Sequence, residues 1–260
     1  MQKLKKDYKK APISSIHLRL YLAIILGQIA CGYALGISGT ALSEAQHVID
    51  ISGTWQGLIG AGSLIGLAGS ALMGRLADQI GRRGMLMANM YLFAILSIAQ
   101  LWTTNLLILF IIRVLLGLMI AIDYTVGNSL LVEWLPAKAG GKFQSNLIVY
   151  WTVGFVLSYV AGITINGFGN RTWQVVLASS VVPGLIAALY RSVFRLPASP
   201  TWLAVQGKNK TAQKVIQKHL GRRWGLSLKL IKAKPADSIS VATLLSPKYR
   251  RQTLVGGGFY

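Results

Sequence analysis

The chain has 260 residues, 53% hydrophobic and only 13% charged, which is too apolar for an ordinary soluble domain. A net charge of +20 would suit a nucleic-acid binder, but 25 of the 27 Lys and Arg cluster in stretches that alternating spans would return to one side of a membrane. Only Arg113 and Arg171 fall elsewhere, so the charge reports orientation, the positive-inside pattern, and argues against a nucleic-acid partner.

Residues 1–19 read as a basic, mobile cytoplasmic tail. The run 20–41 is too long for the apolar core of a signal peptide, and Gln28-Ile29-Ala30-Cys31 is a poor lipobox, so an uncleaved signal-anchor helix is expected. Cys31, the one cysteine, excludes an internal disulfide and reads as a small packing residue. Glu44, His47 and Asp50 follow in a loop free of Lys and Arg, hence external.

Apolar residues at 54–73 and 85–101 form a second and third span, each about long enough to cross ~30 Å of hydrocarbon. Between them stands GRLADQIGRRG, residues 74–84. Taken alone it is a basic turn in which Gly74, Gly81 and Gly84 let the backbone reverse and which sets orientation. Its pattern Gly-x-Leu-Ala-Asp-x-x-Gly-Arg-Arg resembles the signature loop of the major facilitator superfamily of secondary transporters. That resemblance implies a conformational-switch loop of Gly74, Asp78, Gly81, Arg82 and Arg83, with Asp78 stabilised by Arg82, Arg83 and nearby helix N-terminal amides.

An external turn at 102–105 leads to a fourth span over 106–134, a fifth over 143–166 and a sixth over 173–190. The fold class is an all-α membrane protein: a six-helix transmembrane bundle over 20–195, both termini cytoplasmic, in the cell membrane, a bacterial inner membrane by family resemblance. Residues 196–251 read as a cytoplasmic loop with amphipathic helix at 201–224, where Leu203, Val215 and Ile216 alternate with lysines. Residues 225–251 look like a loop with Pro235 and Pro247. Residues 252–260 begin a further apolar segment, the expected start of a truncated seventh helix.

Asp123 falls near the middle of the fourth span, where a carboxylate costs at least ~2.5 kcal/mol and needs a cavity or a partner. It is a paired structural carboxylate or a group that handles substrate or protons. Arg113, on the same helix, is ~15 Å away along the axis and ~80° around it, so the two cannot pair. Arg113-x-x-x-Gly117 resembles the superfamily's fourth-helix motif associated with proton coupling; the alternative is a side chain reaching the outer interface. Asp123-Tyr124 followed by Glu133 is similar to the fourth helix of phosphate and organic-acid carriers in the superfamily. Glu133, Pro136 and Gly141 resemble the sugar-porter pattern Glu-x-x-Pro-x-x-x-Arg-Gly, with Gly140 at the Arg position. Leu196 to Leu203 resembles that family's segment after the sixth helix, with Ala198 for Glu and Thr201 for Arg, which implies a weakened charge network. Gly32-Tyr33-Ala34-Leu35-Gly36 resembles its first-helix motif with Ala34 in place of the acid, leaving Asp123 as the proton candidate.

Gln28, Asn146, Tyr150 and Trp151 are substrate-cavity candidates, amide and aromatic groups at mid-depth suited to a polar solute. Small-residue ladders recur at helical spacing: Gly32, Gly36 and Thr40; Gly62, Gly66, Ser70 and Gly74; Gly154, Ser158 and Gly162. The resemblance implies that the second and fifth helices dock on another six-helix half, leaving Gln28, Asp123, Asn146 and those glycine faces exposed without it. No phosphate loop, metal-spaced His cluster or catalytic triad stands out, so no cofactor, no metal and no enzymatic activity is expected. The expectation is the N-terminal half of a twelve-helix transporter of the sugar-porter or metabolite–proton symporter branch. It would move a small polar metabolite (sugar, organic acid or similar), with protons, by alternating access. The partners expected are the solute, the lipid bilayer, and a missing C-terminal six-helix half or a second copy; a homodimerising carrier and a non-transport scaffold are the alternatives.

Overall fold

The computed structural model describes residues 6–227 with 246, 247 and 251. The expected seventh-helix start at 252–260 and most of the 225–251 loop lie outside the described residues. Among the described residues, six stretches are long and apolar enough to cross a membrane: Ser15–Ala45, Gly53–Ile80, Arg82–Trp102, Leu106–Trp134, Gly140–Thr164 and Gly169–Phe194. A helix satisfies its own backbone groups, which hydrocarbon would otherwise leave unpaired.

The first span is one helix, α1 (Ser15–Ala45). The second is α2 (Gly53–Leu67) and α3 (Ser70–Ile80), broken at 68–69; the third is α4 (Arg82–Ala99). The fourth is α5 (Leu106–Ile122) and α6 (Asn128–Trp134), joined by a π-helical turn over Asp123–Gly127. The fifth is α7 (Gly140–Thr164); the sixth is α8 (Thr172–Ala178) and α9 (Val181–Phe194), broken at 179–180. Two short helices follow, α10 (Pro200–Val205) and α11 (Asn209–Leu220). Local chemistry sets several starts. The Ser52 hydroxyl accepts from the Trp55 N–H ahead of α2, and Asn105 Oδ1 accepts from the Leu107 and Ile108 N–H groups ahead of α5. Leu135 turns extended before Pro136 and ends α6.

α1 is the central helix, packed on α7, α8 and α9, while α2 lies along α5 and α4 along α9. The ladder glycines other than Gly74 pack inside this bundle, against the expectation that they face another half. A Cβ at Gly66 would stand 2.0 Å from the Val114 carbonyl oxygen of α5. A Cβ at Gly154 would stand 2.1 Å from the Ile29 carbonyl oxygen, and one at Gly162 2.4 Å from Thr40 Oγ1. These pairs bring backbones together where dispersion, not hydrophobicity, drives association. The surfaces left open are aliphatic instead: Leu64 and Ile65 on α2, and Ile148, Val149, Val156 and Ile163 on α7.

The tail is docked from residue 6, which corrects the reading of 1–19 as mobile over its described part. Lys6–Asp7 (β1) pairs in parallel with Trp224–Gly225 (β2). Tyr8 is fully buried, its ring edge-on to Trp134 at 6.4 Å. Its hydroxyl donates to the Glu133 carbonyl at 3.0 Å and lies 3.1 Å from Thr201 Oγ1. Burial pushes the Tyr8 hydroxyl pKa up to about 12, so it stays a neutral donor. His17 Nδ1 accepts from the Ser14 N–H at 3.0 Å, which leaves Nε2–H to meet the Trp134 carbonyl at 3.1 Å.

Candidate functional site

Three polar clusters carry the predicted residues, one at the Arg82 end of the spans and two inside the bundle. At the first, the expected turn at 74–84 is mostly helix. α3 runs through Gly74 to Ile80 and α4 begins at Arg82. Only Gly81 reverses the backbone, at φ 103°, so Gly74 and Gly84 are not turn glycines. Arg82 forks between Asp78, at 3.2 Å, and Glu133, with which it makes a tight ion pair. Glu133 also accepts from the Ser199 hydroxyl, and Ser199 caps α10 by accepting from the Trp202 N–H at 2.9 Å. Trp202 Nε1 donates to the Asp78 carbonyl at 2.7 Å, seating α10 on the α3–α4 turn.

Thus the ends of the second, third and fourth spans and the segment after the sixth are tied into one network. Ala198, Thr201 and Gly140 bring no charge to this network, which Arg82, Asp78 and Glu133 form with the neutral Ser199 hydroxyl. Arg83 takes no part in an ion pair among the described residues. The Asp78 side chain is 64% exposed and that of Glu133 12%, so Glu133 is the stronger anchor of Arg82. Glu133→Gln is expected to cost about 1–3 kcal/mol, the range for a buried charged hydrogen bond, and Asp78→Asn under about 0.5 kcal/mol. Thermal unfolding of the purified chain, followed by tryptophan fluorescence, checks the order; an equal cost would contradict it.

Inside the bundle, Asp123 is fully buried in the π-helical turn, and its partner is Arg191 of α9, also fully buried, at 2.6 Å. The expected sixth span ended at residue 190, before this arginine; α9 runs on through Ser192, Val193 and Phe194 and carries Arg191 into the core. Arg191 aims its N–H bonds at carbonyls, Nε and Nη2 at Ala23 (3.2 and 3.1 Å) and Nη1 at Leu86 (3.3 Å). Asn89 of α4 lies beside Asp123. Gly27 of α1 makes room for the pair: a Cβ there would stand 2.2 Å from both Arg191 Nη2 and Asp123 Oδ2. Four spans therefore meet on one charge pair, and Arg191, Asn89 and Gly27 join the predicted residue.

The second interior cluster is Arg113, fully buried, which reaches α1 and not the outer interface. Its Nη1 donates to the Ala34 carbonyl at 3.3 Å and its Nη2 to the Ser38 hydroxyl. The cavity candidates separate. Gln28 is buried and Trp151 half-buried, and the Gln28 amide nitrogen and Trp151 indole nitrogen are buried without a partner. Tyr150 is half-buried and edge-on to Tyr21 at 6.2 Å. Asn146 is exposed, whereas Gln28 and Asp123 are enclosed, so only Asn146 of those three is left open as expected. Among the described residues no cluster of three or more His, Cys, Asp or Glu has metal-binding geometry.

With this geometry established, the chain compares closely with known proteins. The family model for sugar (and other) transporters matches residues 20–257. The inner membrane metabolite transport protein YgcS of Escherichia coli (strain K12) is 30% identical over 96% of this chain and 55% of its own length. The putative metabolite transport protein YaaU of the same strain is 30% identical over 83% of this chain and 48% of its own length. Among solved structures, the proton:xylose symporter XylE bound to 6-bromo-6-deoxy-D-glucose superposes with a TM-score of 0.71 at 23% identity, over 80% of this chain and 50% of that one. The chain spans about half the length of the curated relatives it matches.

Proposed function

The chain belongs to the sugar (and other) transporter family of the major facilitator superfamily, whose N-terminal six-helix half its fold matches, and on that premise we propose that it forms one wall of a secondary transporter. In such carriers the pathway runs between two six-helix halves that rock about a site near mid-membrane. The second wall is another six-helix half or a second copy of this chain, the cargo is a small polar metabolite moved with protons, and no enzymatic step is involved. Both ends face the cytoplasm of a bacterial inner membrane, in keeping with the Lys/Arg asymmetry.

The single observation that carries this reading is the buried Asp123–Arg191 pair at the junction of four spans. A titratable pair at that depth is costly, and its retention points to function. Asp123 is the proton-handling group, released from or returned to Arg191 as the spans shift. The network of Asp78, Arg82, Glu133 and Ser199 latches the cytoplasmic ends and parts in the other state. Gln28, Tyr150 and Trp151 supply polar contacts to the solute.

The test is proton-gradient-driven uptake of labelled D-glucose, L-arabinose and D-gluconate into proteoliposomes. One set contains the chain alone, another the chain coexpressed with the C-terminal half of YgcS. Uptake by the coexpressed pair, lost in Asp123→Asn, is the expected result; uptake by the chain alone assigns the second wall to another copy. No gradient-driven uptake in either set, with the chain folded, overturns the reading.

A further inference from the structure

The interior of the bundle holds one positive charge too many. Arg113, Arg191 and Asp123 are all fully buried, and Asp123 is committed to Arg191. Arg113 enters none of the ion pairs among the described residues. Both its hydrogen bonds go to neutral oxygens, those of Ala34 and Ser38, and its Nε is buried with no partner at all. The other carboxylates of the described chain are accounted for. Glu133 and Asp78 hold Arg82, Asp7 lies in the docked strap, where its side chain accepts from the Lys9 N–H, and Glu44 and Asp50 flank the loop between the first two spans.

A guanidinium does not shed its proton inside a protein, so Arg113 has no route to neutrality except a counter-anion. Leaving it uncompensated in a low-dielectric interior is among the more expensive arrangements a membrane protein can hold. We infer that the counter-charge is the cargo itself: a carboxylate-bearing metabolite whose carboxylate takes the Nε and Nη2 edge of Arg113, displacing Ser38. That edge is a planar two-donor fork, one donor idle and the other given to a hydroxyl, and it matches the two oxygens of a carboxylate. An uncharged sugar offers only further neutral oxygens and leaves the excess charge where it was. The site is closed in this conformation, so the anion enters when α1 and α5 part. This inference rests on the transport reading and narrows it to organic anions.

The experiment uses the 260-residue chain in lipid nanodiscs, with thermal unfolding read against sodium acetate, sodium D-gluconate and D-glucose at constant ionic strength. The carboxylates are expected to raise the unfolding midpoint with the logarithm of concentration above the Kd, and D-glucose is not. Arg113→Gln should weaken apparent gluconate affinity by at least about tenfold, the worth of one charged hydrogen bond. Ser38→Asp, which places a carboxylate beside Nη2, should raise the ligand-free midpoint and abolish the gluconate shift. A glucose shift equal to that of gluconate, a gluconate shift that survives Arg113→Gln, or no shift with either carboxylate would overturn the inference. The uptake measurement judges transport separately: gradient-driven glucose uptake with no carboxylate effect sinks this proposal and leaves transport standing.

Discussion

Arg191→Ala is expected to destabilise the bundle by about 3–5 kcal/mol, the cost of stripping the partner from a fully buried charge. The loss extends beyond the ion pair. Arg191 also donates to the Ala23 and Leu86 carbonyls, so its side chain stitches α9 to α1 and α4 while its charge holds Asp123 of the fourth span. In the alanine variant Asp123 remains among Gly27, Asn89 and the void left by the guanidinium. Replacing both partners by apolar groups of similar volume, Arg191→Met with Asp123→Leu, should recover most of the loss, because neither charge then needs solvation. Unfolding midpoints of Arg191→Met, Asp123→Leu and the double variant, in one detergent, close the cycle. A double variant no more stable than Arg191→Ala would mean that packing at Arg191, not charge, carries the effect. A stable double variant without gradient-driven uptake would place the pair in the transport step.

Gly27→Ala should be strongly disruptive, although it adds only one methyl group to the interior of α1. In a helix interior glycine to alanine ordinarily stabilises by about 0.5–1 kcal/mol. Here the new methyl would sit 2.2 Å from both charged partners, with Asp123 Cγ only 2.8 Å away, so the pair has to open or α1 has to move. Overpacking costs about 1–3 kcal/mol and parting a buried ion pair adds to it, so the sign reverses. Gly57→Ala is the control: it lies in α2 with nothing within 4 Å of the added atom, and should be neutral or slightly stabilising. The mechanism makes a further demand. With Asp123→Leu and Arg191→Met already in place, the penalty of Gly27→Ala should shrink, a coupling readable as a double-mutant cycle. An undiminished penalty would assign the clash to backbone packing alone.

Much of this was legible from hydropathy and charge. Six apolar runs and the alternation of basic loops specify a six-span bundle, and the glycine-flanked Asp78-to-Arg83 pattern carries the family resemblance. The misreadings have physical causes. Ending the sixth span before Arg191 treats a charge as a boundary, yet the helix had Val193 and Phe194 still to bury or offer to lipid. The signal was present: Asp123 needs a cation, Arg113 lies on the wrong face of the same helix, and Arg191 is the next basic residue flanked by apolar sequence. The ladders of Gly62, Gly66, Gly154 and Gly162 mark close approach, but spacing does not say which helix approaches. The docked tail was hidden because a lysine-rich stretch looks solvated; one buried Tyr8 and two strand residues outweigh the lysines around them. Gly27 had no sequence signal, since its role is defined by side chains from α9 and the fourth span.

The strap of residues 6–11 has a consequence for the order of assembly. Two of its partners, Thr201 and the 224–225 strand, leave the ribosome only after all six spans have been made. Until then Tyr8 has only Trp134 and the Glu133 carbonyl of the fourth span to pack on, and the extended stretch at 12–14 ahead of α1 stays open to a protease. Closure of the strap therefore reports that the sixth span and the 224–225 strand have been made. A cleavage site engineered at 12–14 should be cut faster in nascent chains arrested before residue 224 than in chains extended past residue 225.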